Sequence, residues 1–289
     1  MQFHYHKQKE ADAVLRQPML TVIMPVYNME KYLGRALDAL AKQKDRNFKL
    51  LIVNDGSKDR TREIAESYRD RFLYFDIINK KNGGLSDARN VGMTHVTTPY
   101  FTFHDGDDWV DSGYTAYFVR AFGEHPDVDI VSCGFWIDSE KRHESHPVGN
   151  KQSGGLIDKR EAYLKMTNVF GSPVKGYTWN KGYKISIIKK YHLRFVEDLA
   201  FMEDQIFNVK YVSLTNGFYY SSTPYYHYWQ RADSMVHDLN PKKIPDNFRA
   251  NYRVWRQIIK SLMVERETQK ESKKIVKKAY LSDFDHQDL

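Results

Sequence analysis

Apolar positions along this chain recur in two alternating rhythms. Leu20 to Val26 is a buried run of strand length, and Lys31 to Ala41 then sets Leu33, Ala36, Leu37 and Leu40 on one helical face. The unit repeats. Lys49 to Val53 predicts a second strand, Asn54-Asp55-Gly56-Ser57 a turn, and Asp59 to Phe72 a helix with Ile64, Ala65, Tyr68 and Phe72 inward. A third strand over Leu73 to Ile78 is followed by a loop at Asn82-Gly83-Gly84 and a helix over Ser86 to Val96. A fourth, Tyr100 to Phe103, runs into Asp105-Gly106-Asp107-Asp108. This alternation predicts an α/β fold with a mostly parallel, helix-covered sheet. Ligands of such sheets sit beyond the carboxyl ends of the strands, where each of these polar turns lies.

Past Val128 to Phe135 the alternation fades. A polar loop is expected over 137–155, a helix from Asp158 as N-cap through Met166, and another over Glu203 to Val212. Phe218 to Trp229 reads as two strand-like runs of tyrosines parted by Pro224, and Asn247 to Val264 with Ser272 to Tyr280 as a helical tail. The chain therefore divides into an N-terminal extension (1–18), a body (19–238, in halves 19–135 and 136–238) and a tail (239–289), with no internal repeat.

Composition narrows the class. With 289 residues, 41% of them hydrophobic and 14% aromatic, the chain can bury a real core, which excludes a disordered or collagen-like protein. The net charge of +7 is concentrated in the tail, where residues 240–289 carry twelve Lys and Arg against seven Asp and Glu. The body is nearly neutral, which argues against a nucleic-acid binder. No run reaches the roughly 18 apolar residues that span a bilayer, and the N-terminus lacks the apolar stretch of a secretion signal. The single cysteine, Cys133, sits among Ile130, Val131, Gly134 and Phe135 as a core residue. These features place the protein in the cytoplasm. In the tail, Lys273, Lys274, Lys277 and Lys278 share one helical side opposite Ile275, Val276, Ala279 and Tyr280, and Trp255, Ile258, Ile259 and Leu262 form another apolar stripe. Such helices pack on the body, join a second subunit, or dock peripherally on the anionic inner face of a membrane.

Candidate chemistry centres on the polar turns. Asp105, Asp107 and Asp108 crowd three carboxylates at one strand end, an arrangement whose repulsion a cation or a hydrogen-bond network relieves. Carboxylate oxygens suit hard ions, here Mn²⁺ or Mg²⁺. There is no phosphate-binding loop ending in Gly-Lys-Ser/Thr and no Gly-x-Gly-x-x-Gly, and His4, His6, His143 and His146 lack the partners of a zinc site.

Four segments occur in order: Thr21-Val22-Ile23-Met24-Pro25-Val26-Tyr27-Asn28, Val53-Asn54-Asp55-Gly56-Ser57, Gly84-Leu85-Ser86-Asp87-Ala88-Arg89-Asn90 and Asp105-Gly106-Asp107-Asp108. Together they resemble the family-2 glycosyltransferases. The resemblance covers residues 20–110 with all four motifs and continues more weakly to about residue 236. It implies a GT-A fold and an inverting, metal-assisted transfer from a nucleotide-diphosphate sugar, UDP-linked. The acceptor it implies is a bacterial surface polysaccharide, teichoic acid or glycolipid.

The same resemblance implies roles for individual residues. Asp105 would contact the ribose and Asp107 the metal, with Asp108 either a supporting carboxylate or a turn residue. Asp55 would accept the base N3 proton, opposite a wall of Pro25, Tyr27 and Asn28, with the Tyr27 ring either on the base or merely packed. Arg89 would meet phosphate or pair with Asp105 or Asp107. An inverting transfer needs one general base. Asp204 of the Glu203-Asp204 pair is the first candidate and Asp198 of Glu197-Asp198 the second. Arg231 and Ser234 answer a family pattern near the pyrophosphate, and His227 or His237 either completes the metal shell or is a surface or packing residue. Trp179, in Trp179-Asn180-Lys181, either stacks on an acceptor sugar or belongs to the core. Two other classes fit parts of this pattern. A non-catalytic sugar-nucleotide or glycan-binding module would keep Asp55 and Asp105 without needing Asp204. A nucleotidyltransferase on a related fold would want a Gly-rich basic loop where Pro25-Val26-Tyr27-Asn28 stands.

Overall fold

The computed structural model describes residues 17–148, 153–168, 172, 174–198, 202–230 and 244–284, without the side chains of 244–248, 269 and 272–284. Its centre is one ten-stranded mixed sheet. Strands β1 (Leu20–Val26), β2 (Phe48–Asn54), β3 (Tyr74–Asn79) and β4 (Tyr100–Phe103) pair in parallel in the order β3-β2-β1-β4. They are linked by helices α1 (Leu33–Ala41), α2 (Thr61–Ser67) and α3 (Leu85–Thr94). Every residue of β1 is buried because helices cover both faces. Alternation along the strands separates two cores: Ile23, Leu51 and Val53 face one, Val22, Met24, Leu50 and Ile52 the other.

The sheet continues beyond β4 through β9 (Lys181–Lys184), which is antiparallel to both β4 and β6 (Ile130–Ser139). Next comes β10 (Phe218–Gln230), parallel to β6, with the short β5 (Trp109–Val110) on its far side. The remaining helices are α4 (Tyr114–Glu124), α5 (Lys159–Met166), α6 (Ile185–Tyr191), α7 (Glu203–Ser213) and α8 (Ile244–Phe284).

Several expectations need correction. The helix expected over Asp59 to Phe72 is α2 followed by a separate 3-10 turn at Arg69–Arg71. The polar stretch 137–155 is not simply a loop. β6 extends to Ser139, β7 (Glu144–Val148) folds back on it, and β8 (Gly154–Ile157) pairs with β10. β7 is exposed along nearly its whole length, so it shows no apolar alternation. Pro224 does not end a strand. β10 passes through it with register shifts on either side, and a bulge removes the need for a ladder N–H at that point. The two tail helices are one helix of 41 residues. Its stripe also divides: Ala250, Val254 and Ile258 are buried against the body, whereas Trp255 and Ile259 are exposed. The tail lysines 273, 274, 277 and 278 have side chains outside the described residues.

Two expectations hold in detail. Asp158 caps α5 by accepting the Glu161 N–H at 2.7 Å. Cys133 is fully buried, its thiol 3.6 Å from the Asn180 carbonyl, and burial pushes its pKa up to about 12. Among the described residues no helix is long and apolar enough to cross a membrane.

Candidate active site at the carboxyl ends of the strands

The ends of β1, β2 and β4 and the starts of α3 and α7 converge. After β2, the Asp55 carboxylate is buried and receives the N–H groups of Gly83 at 2.9 Å and Gly84 at 2.8 Å, Asn82 Nδ2 at 3.2 Å, and Lys80 Nζ. These four donors fill the usual acceptor capacity of a carboxylate. Asp55 thus fixes the 80–84 loop at the entry to α3. Gly56 lies against the same loop at φ +73°, and a Cβ there would meet the Asn82 nitrogen at 2.8 Å. Opposite, Pro25 is buried in β1 while Tyr27 and Asn28 are exposed. Asn28 is locked to the second turn: its N–H donates to Ser57 Oγ at 3.0 Å and its Oδ1 accepts the Lys58 N–H at 2.8 Å.

Arg89 is the hub of the site. It is 1% exposed, a position an arginine takes only when its charge is matched. Nη1 donates to Asp204 Oδ1 at 2.5 Å and Glu203 Oε1 at 3.1 Å, and Nη2 to Asp105 Oδ1 at 3.3 Å. Burial by itself would lower its pKa, but the charges of Asp204, Asp105 and Glu203 hold it above the ordinary value. Of the alternatives open from sequence, the ion pair with Asp105 is the one formed, and its partnership with α7 was not anticipated. Burial, then the charges of Asp107 and Asp204, raise Asp105, and burial with Asp204 raises Glu203.

Asp204 stands at the first turn of α7, after Met202 in the left-handed conformation at φ 63°. Its Oδ2 accepts the Thr178 N–H at 3.2 Å and the Thr178 hydroxyl at 3.0 Å. The competing pair lies elsewhere. Asp198 is held in both oxygens by Arg253 of α8, at 3.0 and 2.8 Å, and Glu197 accepts from Asn90 at 3.0 Å.

In the acidic turn the three aspartates part company. Asp107 has its carbonyl bound by Arg35 Nη2 at 2.7 Å. Asp108 is buried and ties β10 to the turn, accepting the Tyr226 hydroxyl at 2.7 Å and the Trp229 N–H at 2.8 Å. The Tyr226 oxygen in turn accepts the Asp105 N–H at 3.1 Å. His227 is stacked between Trp109 and Trp136, with Nδ1 2.9 Å from Asp138 and Nε2 3.6 Å from Asp111. Trp179 is 3% exposed and stacks on Tyr226 at 4.4 Å, so of its two readings the core one describes this structure. Arg231, Ser234 and His237 lie outside the described residues. Sequence reasoning missed Thr178, Lys181 and Tyr226. The tyrosine-rich run and the Trp-Asn-Lys segment were visible, but nothing local in them says which side chain faces the acids.

The sequence profile described as "Glycosyl transferase family 2" matches residues 21–190. The chain belongs to glycosyl transferase family 2. It is 34% identical over 194 residues to the uncharacterized glycosyltransferase EpsJ of Bacillus subtilis, covering 66% of this chain and 55% of that protein. It is 31% identical over 223 residues to glycosyltransferase GlyA of Streptococcus pneumoniae, covering 75% of this chain and 31% of that one. The chain thus spans about half or less of these relatives' length. The structure of S. aureus TarS 1–349 in complex with UDP-GlcNAc superposes with a TM-score of 0.68 at 24% identity, over 84% of this chain and 66% of that one. The two share a fold, and the mixed, helix-flanked sheet is of the GT-A type.

In this family-2 chain the acidic turn also bears on metal binding. Among the described residues no group of three His, Cys, Asp or Glu is placed to enclose an ion. Asp105 and Asp107 nevertheless present hard oxygen donors two residues apart, in a turn whose like charges raise Asp105. That donor set fits Mg²⁺ or Mn²⁺ bound by one or two carboxylates and completed by diphosphate oxygens and water.

Proposed function

We propose that this chain is an inverting glycosyltransferase that moves a sugar from a UDP-sugar to a hydroxyl of a bacterial cell-surface glycan, teichoic acid or glycolipid acceptor. The observation that carries the reading is the buried Arg89, which joins Asp105 at the end of β4 to Asp204 at the start of α7. On this reading Asp105 serves the nucleotide and Asp204 the acceptor. The UDP-GlcNAc bound by TarS, which shares this fold, supports the choice of donor.

The proposed reaction is one displacement. As the acceptor oxygen attacks the anomeric carbon, its proton passes to Asp204 and the bond to the diphosphate breaks, its electron pair leaving on the phosphate oxygen. Asp105 binds the ribose, and the two turns that hold Asn28 and Asp55-Gly56 shape the base pocket. Asp55 acts there through the loop it anchors, and a base N–H would have to displace one of its four donors. Asp107 would hold a divalent cation, whose charge stabilises the leaving diphosphate when bound. Arg89 keeps Asp204 aimed.

The test is product analysis with a panel of nucleotide sugars and lipid-linked or polymeric acceptors. An α-linked UDP-sugar should give a β-linked product that is absent without acceptor. Retention of configuration, or tight UDP-sugar binding with no transfer across the panel, would overturn the reading, the latter in favour of a binding module.

A further inference from the structure

We propose that Lys181, at the start of β9, is a positioning residue for Asp204, acting through the peptide unit between Tyr177 and Thr178. This rests on Asp204 being the base. The Lys181 side chain is fully buried, and its ammonium donates to the carbonyls of Lys175 at 2.5 Å and Tyr177 at 2.6 Å and to Asn180 Oδ1 at 2.9 Å. An ammonium has three donors, and all three are spent on one turn of chain. The Tyr177 carbonyl and the Thr178 N–H belong to the same planar trans peptide, so they point in opposite directions. With the carbonyl held on Lys181, the N–H is turned to Asp204 Oδ2, 3.2 Å away, and the Thr178 hydroxyl joins it at 3.0 Å. Lys181 and Asp204 therefore sit on opposite sides of one peptide group. The positive charge behind the carbonyl polarises the peptide and strengthens the N–H as a donor.

The surrounding contacts support the same turn. Asn208 of α7 donates to the Gly176 carbonyl at 2.8 Å and to that of Tyr177 at 3.2 Å, and its Oδ1 accepts the Tyr183 hydroxyl at 2.7 Å. Turn stability alone does not call for a buried charge, which is costly where neutral donors would serve. Burial pulls Lys181 down to about 7, and the charge of Asp204 opposes that shift.

The arrangement also distinguishes the two oxygens of the base. Among the described residues, Oδ2 receives two hydrogen bonds from Thr178 and Oδ1 one from Arg89. A carboxylate offers about four lone-pair positions, so the one remaining is on Oδ1, where the acceptor's proton would arrive.

The experiment compares Lys181→Met, Thr178→Val and Asp204→Asn for transfer kinetics with an accepted UDP-sugar, UDP affinity, and amide hydrogen exchange over 175–180. Lys181→Met should lower kcat by about tenfold or more, the scale on which a misplaced catalytic group is felt. UDP affinity should stay within about twofold, because base recognition is made equally before and during the reaction. The Thr178 amide should exchange faster. Thr178→Val, which keeps the fold and removes only the hydroxyl donor, should lower kcat by a smaller factor. In an Asp204→Asn background Lys181→Met should lower the residual rate no further. Unchanged kcat in both single variants while Asp204→Asn loses transfer would overturn the positioning role and leave the base assignment standing. Full transfer by Asp204→Asn would instead remove the base assignment on which it rests. Should Lys181→Met fail to fold, Lys181→Gln, which keeps a neutral donor and loses the charge, decides through the same kcat and Thr178 exchange measurements. Exchange at Thr178 unaltered in a folded Lys181→Met would contradict the clamp without any reference to turnover.

Discussion

Arg89 and Asp204, 115 positions apart in the chain, meet at 2.5 Å, the guanidinium buried and the carboxylate partly so. The contact joins α3 to α7, and it places one cation among three carboxylates. Breaking a buried ion pair by removing one partner is far costlier than losing a surface pair. Arg89→Met should therefore destabilise the fold by about 3–5 kcal/mol and abolish transfer. Arg89→Lys, which keeps the charge without the planar fork, should recover much of the stability and little of the activity. Urea unfolding and transfer assays on both variants separate these effects. Wild-type stability in Arg89→Met would show that the network is not the structural hub described here.

The acidic turn predicts a contrast between neighbours. Burial, then the charges of Asp107 and Asp105, raise the Asp108 carboxyl well above its ordinary range. A neutral isostere should therefore be tolerated: Asp108→Asn should stay folded, whereas Asp108→Ala leaves the Tyr226 hydroxyl and Trp229 N–H without their acceptor and should cost about 2–4 kcal/mol. Asp107→Asn should show the reverse pattern, with a melting temperature close to wild type and loss of divalent-ion-dependent transfer. Full turnover of the wild type in excess chelator would remove the metal assignment.

His104 links stability to pH. It is fully buried, Nδ1 lies 2.8 Å from the Asp105 carbonyl, and Nε2 has no partner among the described residues. Burial pulls its pKa down from 6.5 to about 4. Between those values the unfolded chain takes up a proton that the folded one refuses, so this residue lowers stability as pH falls through that window. The total effect is at most about 3 kcal/mol. Relative to wild type, His104→Gln should gain stability between pH 7 and pH 4.5. A difference between the two proteins that does not change with pH would refute the shift.

Much of this was legible in the sequence, for identifiable reasons. The first βα units obey local rules, so the faces of α1 and the strand ends with their Asp-rich turns follow from spacing. Helix α4 went unread although Tyr114, Tyr117, Phe118, Ala121 and Phe122 carry the helical period and are all buried. Strand β7 gave no signal because it is exposed and pairs only with β6. In the site, sequence placed Asp105 and Asp204 as candidates but not as joint partners of Arg89, since that arrangement depends on how α7 returns to the sheet. The choice between Asp198 and Asp204 has the same character. Both follow aromatic residues in a Glu-Asp pair, and only the fold sends one to Arg253 and the other to Arg89. Lys181 and Thr178 were unreadable as neighbours of Asp204 because their link runs through the orientation of one peptide plane.

Cys133 provides a direct check on packing around the site. It contacts the Asn180 carbonyl, and the Asn180 side chain donates back to the Cys133 carbonyl at 2.9 Å. Burial raises the thiol, so little thiolate exists at neutral pH. The native protein should resist iodoacetamide and react fully in denaturant. Rapid alkylation in the native state would place β6 and the 178–181 segment differently.

The central claim is that Asp204, held by Arg89, is the base of a transfer reaction. Asp204→Asn and Asp198→Asn, assayed side by side for UDP-sugar binding and transfer, test it most directly. Asp204→Asn should bind the donor nearly as wild type yet lose transfer by at least about 10²-fold, the scale of a positioned proton acceptor, while Asp198→Asn retains it. Retained transfer in Asp204→Asn with loss in Asp198→Asn would contradict the account and move the base to the earlier pair.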